Sequence, residues 1–330
     1  MAAPLTDRPV RFGVVGTGGI ASSFTTDLQL LDDAVVSAVG SRSQASADRF
    51  GDAHGIARRH ASYADLVDDP EVDVVYVATP HPGHHDAAML AVAAGKAVLV
   101  EKPFTMDALA AAEVVEAARR QGVFAMEAMW TRFNPQMVRI RELLAAGTLG
   151  EVVTVSADHG QWFEADAEHR VFAPALGGGA LLDLGIYPVS LASMVLGSPD
   201  VVTARSSKAF TGVDAQTSVI LDYVGGAQSV LTTTLLARSQ NRATIVGTQA
   251  RVEVDAVWYQ PSSLTVISRD EEVLERFDEP RTGNGLRHQV AEVVRCLRAG
   301  ETESPVLPLD ETLSIMRTMD EIRRQIGLTY

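Results

Sequence analysis

Residues 10–21 read VRFGVVGTGGIA: a short apolar run, then glycines, then a helical stretch. A strand followed at once by G-x-G-x-x-A, here Gly16, Gly18 and Ala21, encodes a strand–turn–helix unit. The glycines permit a tight turn and close backbone approach to a pyrophosphate. The helix behind them offers N–H donors and a partial positive charge. The same rhythm continues along the chain. Helical character over 20–31 gives way to a strand-like run at 35–40 and a helix at 48–55. The β-branched stretch 72–79 (VDVVYVAT) predicts a strand buried on both faces. Then come a helix at 84–94, a strand at 97–100, a helix at 105–121 and a strand at 123–126. Repeated β-α-β units predict a doubly wound parallel sheet with helices on both sides.

Beyond about residue 150 the pattern changes to alternating polar and apolar stretches, at 151–158, 201–210, 218–223, 229–235, 244–247 and 251–257. Such alternation suits a large, mainly antiparallel open sheet with one wetter face. Two helices close the chain. Leu286, Val290, Val293, Val294 and Leu297 stripe the first, and Leu309–Ile326 forms the second, with Asp310 and Glu311 near its N-terminus. A chain of 330 residues accommodates two domains. The rhythm changes near residues 124–150, and the expected division is residues 1–125 as a dinucleotide-binding domain and 126–330 as a second α/β domain, its last helix packing back on the first.

The formal charge is −14, which argues against nucleic acid or an anionic membrane as partner. One cysteine, Cys296, excludes an internal disulfide framework and fits a reducing compartment. The opening MAAPLTDRPVRFGVVG lacks the pattern of a signal peptide, and no run is expected to reach the roughly 18 apolar residues of a membrane helix. A cytoplasmic protein is the expectation.

Candidate cofactor residues follow the strands. Gly16, Thr17, Gly18, Gly19 and Ile20 form the first loop. At the end of the second strand, where an acidic residue would bind ribose hydroxyls and favour NAD, stand Ser41 and Arg42. Serine hydrogen-bonds a 2′-phosphate and arginine pairs with its charge, so NADP is favoured, with NAD use possible. The turn ATPHPGHH carries Thr79, Pro80, His81 and His84. Its histidines lack a further ligand of matching spacing, so a cofactor-lining turn is expected there and no metal. Glu101-Lys102-Pro103 sits at another strand's carboxyl end, where side chains face the ligand crevice. Residues 177–188, GGGALLDLGIYP, predict a glycine elbow and a helix from near Ala180 that puts Asp183 and Tyr187 on one face. Two readings of that pair stand open on chemistry alone. Asp183 caps the helix and Tyr187 packs in the core, or both face Lys102 where the two domains meet.

GTGGIA, ATPHPGHH, VLVEKP and GGGALLDLGIYP, in this order and spacing, resemble the Gfo/Idh/MocA oxidoreductase family over nearly the whole chain. The resemblance implies an N-terminal Rossmann domain, a C-terminal domain with a large open sheet, and NAD(P)-dependent redox chemistry on sugars, cyclitols and related alcohols. A tyrosine at 187, where many members carry histidine, and MEAMWTRFNP at 126–135 resemble one branch in particular. That branch holds dimeric dihydrodiol dehydrogenases, glucose–fructose oxidoreductase and NADP-dependent xylose dehydrogenases. Carried over by position, Lys102 is the catalytic lysine, Tyr187 the acid/base and Asp183 its substrate-side partner. Trp130 and Arg132 flank nicotinamide and substrate. Phe163 and Arg170 are candidate pocket residues. His81 replaces the family's usual asparagine. The sheet implies a homodimer or a dimer of dimers. Two other readings are an NAD-dependent cyclitol dehydrogenase and a non-catalytic NADP-binding sensor.

Overall fold

The first apolar run forms β1 (Val10–Val15), and the glycine loop opens α1 (Gly19–Leu28). The computed structural model describes residues 8–278, 280 and 282–330. Residues 1–7, on which part of the leader expectation rests, lie outside the described residues. The chain continues through β2 (Ala34–Gly40), α2 (Gln44–His54), β3 (Arg58–His60), α3 (Tyr63–Val67), β4 (Val74–Val77), α4 (His84–Ala93), β5 (Ala97–Glu101), α5 (Ala108–Gln121) and β6 (Ala125–Ala128). The strands pair in the order β3-β2-β1-β4-β5-β6, and every pairing is parallel. All four residues of β4 are buried, as a strand covered on both faces requires. Phe24 of α1 stacks on Tyr76 of β4 with ring centroids 3.7 Å apart. The order of strands reverses between β1 and β4, and ligands of open α/β sheets bind beyond the carboxyl ends at such a point.

β3 and α3 are not visible in the hydrophobic pattern. Arg-Arg-His carries no apolar signal, and β3 exists because β2 offers an open edge, pairing Ala38 with Arg58. Asp69, fully buried at its side chain, then ties that edge down by accepting from Arg58 Nε at 2.8 Å.

The second half begins with α6 (Pro135–Ala145), also unmarked by the alternation. Pro135 takes the first helical turn, where a missing N–H costs nothing, and Met137, Ile140 and Leu143 are buried. β7 (Val152–Gly160) precedes a long excursion that ends in a widened turn, Leu181–Gly185, and α7 (Ile186–Leu196). Then follow β8 (Val201–Lys208), β9 (Asp214–Asp222), β10 (Gln228–Thr234), β11 (Ala243–Gly247), β12 (Ala250–Val254), β13 (Leu264–Ser268) and β14 (Val273–Phe277). These make an eight-stranded sheet in the order β14-β13-β12-β11-β7-β10-β9-β8. β7 and β10 run parallel and the remaining pairings of the described strands are antiparallel. In β9, buried Ala215, Thr217, Val219 and Leu221 alternate with exposed Gln216, Ser218 and Ile220. α8 (Arg287–Ala299) and α9 (Leu309–Ile326) complete the chain.

Two compact units result: Met1–Trp130 with Thr282–Leu313, and Thr131–Arg281 with Ser314–Tyr330. α8 is anchored to the first unit through Asp27 of α1, whose carboxylate accepts from the backbone N–H groups of Asn284 and Leu286 at 2.8 Å. In the second unit the segment Pro174–Leu196 is long and apolar enough to cross a membrane, closer to that limit than the sequence reading expects. It is instead a core element, with 78% of its most apolar window buried inside the protein.

Candidate active site

In the first unit three strand ends converge on one edge. Gly16 has φ +103°, and a Cβ there would lie 2.6 Å from the carbonyl of Ala78, so the β1 loop rests directly on the end of β4. Gly18 and Gly19 differ: a Cβ on either meets no atom of the described residues within 4 Å. Open ground therefore lies over the loop, beside a helix whose N-cap, Gly18, has no side chain and whose first turn has no acidic residue. Thr17 and Ile20 flank it, Ile20 exposed. After β2, Ser41 is nearly buried and donates its backbone N–H to His60 at 3.1 Å, while Arg42 is exposed.

After β4, Thr79 is buried and its hydroxyl has no partner among the described residues. Pro80 is exposed, and the buried His81 ring stands edge-on to His84 with centroids 5.7 Å apart. His84 lies beneath this surface rather than on it. Its Nδ1 sits 2.8 Å from the carbonyl of Pro103 and its Nε2 2.9 Å from that of Thr79, so one ring ties the end of β4 to the turn after β5. Burial holds its pKa below the ordinary histidine value, against the pull of those two carbonyls. Glu101 is also a brace: its buried carboxylate accepts from Tyr76 Oη at 2.5 Å and from the Lys102 backbone N–H at 3.2 Å. Glu127 does the same one strand over, accepting from the Phe104 N–H at 3.1 Å. The half-buried Lys102 thus emerges from a turn whose backbone is held by Glu101 and by His84. Trp130, buried, ends this unit.

A nicotinamide dinucleotide fits these residues. The open loop over Gly18 and Gly19 admits a pyrophosphate, and the unpartnered Thr79 hydroxyl offers a buried polar contact at the same edge.

In the second unit the glycine elbow is packed tightly against protein. A Cβ on Gly178 would lie 2.8 Å from the carbonyl of Val171, and one on Gly179 (φ +120°) would overlap Asp214 Oδ1. The chain is helical from Ala180, as expected, but the first turn is not a regular α-helix. Residues Leu181–Gly185 form a widened i→i+5 turn before α7 begins. Pro188 explains this, since it has no N–H for the carbonyl of Leu184 and its ring crowds that carbonyl.

Asp183 is buried within that turn, and Arg170 grips its carboxylate with two nitrogens at 2.9 and 3.1 Å. The pair joins a side chain 4% exposed to one 57% exposed, so the guanidinium opens toward solvent while the carboxylate does not. Phe163 packs against the small core of Val171, Phe172, Ala180, Leu184 and Leu235 that carries the elbow. Arg132 is buried and donates from Nε to Ser190 Oγ of α7 at 3.0 Å.

Tyr187 is buried among aromatic rings that sequence reasoning missed. His159, the inward-facing residue near the end of β7, stands edge-on to Tyr187 at 5.0 Å and stacks on Tyr259 at 3.8 Å. Tyr259 lies 5.4 Å from Tyr187, and burial, reinforced by the neighbouring Tyr187 phenol, pushes its own phenol up to about 12. Gln161 Nε2 lies 3.0 Å from His159 Nε2 and donates to Tyr259 Oη at 3.4 Å. The parity of β7, with Val155, Ala157 and His159 all inward, was the available signal for His159. Nothing local marks Tyr259. Among the described residues no three His, Cys, Asp or Glu side chains group as a metal site; His85 pairs with Asp86 and Glu113.

Known proteins match this architecture end to end. Residues 10–129 match the oxidoreductase family with an NAD-binding Rossmann fold, and residues 137–253 match the GFO/IDH/MocA C-terminal domain. Trans-1,2-dihydrobenzene-1,2-diol dehydrogenase of Macaca fascicularis is 39% identical over 97% of this chain and 98% of its own. The Homo sapiens enzyme of that name is 37% identical with the same coverage. Among solved structures, aldose-aldose oxidoreductase from Caulobacter crescentus, complexed with glycerol, superposes with a TM-score of 0.88 at 26% identity, covering 97% of this chain and 98% of that one. KijD10, a 3-ketoreductase from Actinomadura kijaniata in complex with NADP and TDP-benzene, does so with a TM-score of 0.83 at 26% identity and the same coverage. With a glycine cradle and a lysine at the strand ends of one unit and an open sheet in the other, this chain belongs to the Gfo/Idh/MocA family of NAD(P)-dependent oxidoreductases.

Proposed function

We propose that the chain oxidises, reversibly, a carbinol carbon of a trans-diol, sugar, anhydro-sugar or polyol, with NADP preferred over NAD. The observation that carries this is Lys102, held on a braced turn at the same sheet edge as the open glycine loop and the buried Thr79 hydroxyl. The substrate class is supported by the diol dehydrogenases that resemble the chain over nearly their full length. The NADP preference rests on Ser41 and the exposed Arg42, with no carboxylate between β2 and α2 to repel a 2′-phosphate.

The bound dinucleotide supplies hydride acceptance and donation. The Thr17–Ile20 loop, Thr79, Pro80 and His81 hold it, and Trp130 and Arg132 flank its reactive end. Glu101 and His84 act one layer below, by fixing the backbone of the Lys102 turn. In the oxidation direction the Tyr187 phenol takes the proton of the substrate hydroxyl. The Lys102 ammonium stabilises the oxygen as it gains charge. Asp183, oriented by Arg170, accepts a hydrogen bond from a neighbouring hydroxyl, and Phe163 borders the ring. The protein acts in the cytoplasm as a homodimer or a dimer of dimers. The exposed face of the eight-stranded sheet, where Val230 of β10 pairs with Ile220 of β9, supports that assembly.

The test is Lys102→Met. The expected outcome is a loss of kcat of about 100-fold or more with trans-diols and aldoses, while the Kd for NADPH, followed by fluorescence, stays within about threefold. Unchanged kcat would remove Lys102 from the chemistry. Tight NADPH binding in the natural protein without turnover of any diol, aldose or polyol would favour the sensor reading.

A further inference from the structure

Asp214 opens β9 and is 1% exposed, yet it belongs to none of the motifs that carry the proposed chemistry. Its Oδ2 accepts from the backbone N–H of Leu181 at 2.8 Å and from Thr217 Oγ1 at 2.7 Å. Leu181 is the first residue of the widened turn that holds Asp183. Oδ1 of Asp214 has no partner among the described residues and faces the Cα of Gly179 so closely that no side chain fits between them. Tyr330 joins the same spot, donating its hydroxyl to the carbonyl of Gly178 at 2.5 Å. Gly178 in turn presses on the carbonyls of Arg170 and Val171, the strand of chain from which Arg170 reaches Asp183.

We propose that Asp214 is a positioning residue of the reaction: with Tyr330 it clamps the glycine elbow from beneath and so sets where the Arg170–Asp183 pair stands. The inference rests on the reading of Asp183 as the substrate-side carboxylate. Its geometry is one of replacement by charge. A buried carboxylate takes the place of water at the start of the turn, satisfying the Leu181 N–H that the widened helix leaves without a helical partner. Few other charges reach it. Lys208 of β8 draws its pKa down weakly and the Tyr330 phenol is the neighbour from the chain's end, under Arg323 at 5.8 Å. Burial outweighs them and the two hydrogen bonds, and pushes the carboxyl up to about 6. The carboxyl is therefore protonated more readily in the closed turn than in water, and acid favours the closed clamp while rising pH through about 6 strains it.

The test uses the full-length protein with Asp214→Ala and, separately, Tyr330→Phe. Asp214→Ala removes the acceptor of the Leu181 and Thr217 hydrogen bonds. We expect kcat to fall about tenfold with substrate, the Kd for NADPH to stay within about twofold, and backbone hydrogen exchange of residues 177–188 to accelerate while β10 and β11 keep their protection. In the natural protein, exchange over 177–188, corrected for the intrinsic rate, should slow as pH falls through about 6, and that dependence should be absent from the Ala variant. Tyr330→Phe should accelerate exchange over the same peptide with a smaller loss of kcat. Exchange at 177–188 unchanged in both variants overturns the clamp, whether or not the protein is active. Accelerated exchange spread evenly over the whole sheet also overturns it, since Asp214 would then be a general stability residue. If the natural protein turns over no substrate, the exchange arm still decides the clamp, and the failure belongs to the functional reading.

Discussion

Replacing Gly179 with alanine sets a methyl group where Asp214 Oδ1 already stands, in a backbone conformation of φ +120° that side-chain-bearing residues rarely adopt. The conformational part alone costs about 1–3 kcal/mol. Relieving the overlap moves the Asp214 carboxylate, and with it the hydrogen bond from Leu181; a bond to a charged acceptor contributes about 1.5–3 kcal/mol. Together the loss is about 3–6 kcal/mol, a large part of the roughly 5–15 kcal/mol that holds an ordinary domain folded. At roughly 2–4 °C per kcal/mol for a unit of this size, Tm of the cofactor-free protein should drop by about 10 °C or more. Gly18→Ala is the matched control. Its Cβ meets none of the described residues within 4 Å and its φ of −83° suits any residue, so Tm should move by no more than about 2 °C. The same methyl stands in the space a pyrophosphate would enter, and the Kd for NADPH should rise about tenfold or more. Calorimetry of the cofactor-free variants and fluorescence titration separate the two effects. A Gly179→Ala protein that melts with the natural one would refute the packing account of the elbow. A Gly18→Ala protein with natural NADPH affinity would refute the assignment of the loop.

Two further outcomes follow from charged side chains of the first unit. Arg42→Ala should weaken NADPH by about 10–100-fold and NADH by less than about threefold, read by parallel titrations, because only the former carries the 2′-phosphate; equal losses would detach Arg42 from cofactor choice. Asp69→Asn should destabilise the protein at pH 7 by about 2 kcal/mol in chemical denaturation. The Arg58 guanidinium holds the Asp69 carboxyl well below the usual range, so its contribution is present above the unfolded pKa of about 4 and is lost as pH falls through the lower folded value. The gap between natural and variant protein should accordingly begin to narrow below about pH 4 and go on narrowing in stronger acid, and a gap that stays constant as pH falls below about 4 would contradict the pairing.

Much of the first unit is readable from residues close together in the chain. GTGGIA after β1, Thr79-Pro80 after β4 and Glu101-Lys102-Pro103 after β5 all sit at strand ends, and the parallel sheet brings strand ends to one edge whatever the details of packing. The weak points were β3 and α3, where a pattern-free Arg-Arg-His became a strand because a neighbour offered an edge. In the second unit alternation revealed β7 to β12 but missed β13 and β14; the outermost strand, β14, has largely exposed residues and little apolar contrast. Asp183 and Tyr187 were visible as a pair. Their surroundings were not: Arg170, His159 and Tyr259 reach them from three separate segments.

Periodicity tells which face of an element a residue occupies, because side-chain direction repeats every 2 or 3.6 residues. From that comes the β-α-β order, while the cofactor loop, Glu101-Lys102-Pro103 and the family resemblance come from local motifs at the strand ends. What a buried residue touches depends on register between distant strands and on which helix crosses above them. Only the folded chain decides that Asp214 sits under Gly179, that Tyr330 reaches Gly178, 152 positions away, and that Pro188 widens the turn beneath Asp183. Those partners share no local signal, since the forces that join them are contact forces between segments the sequence keeps far apart.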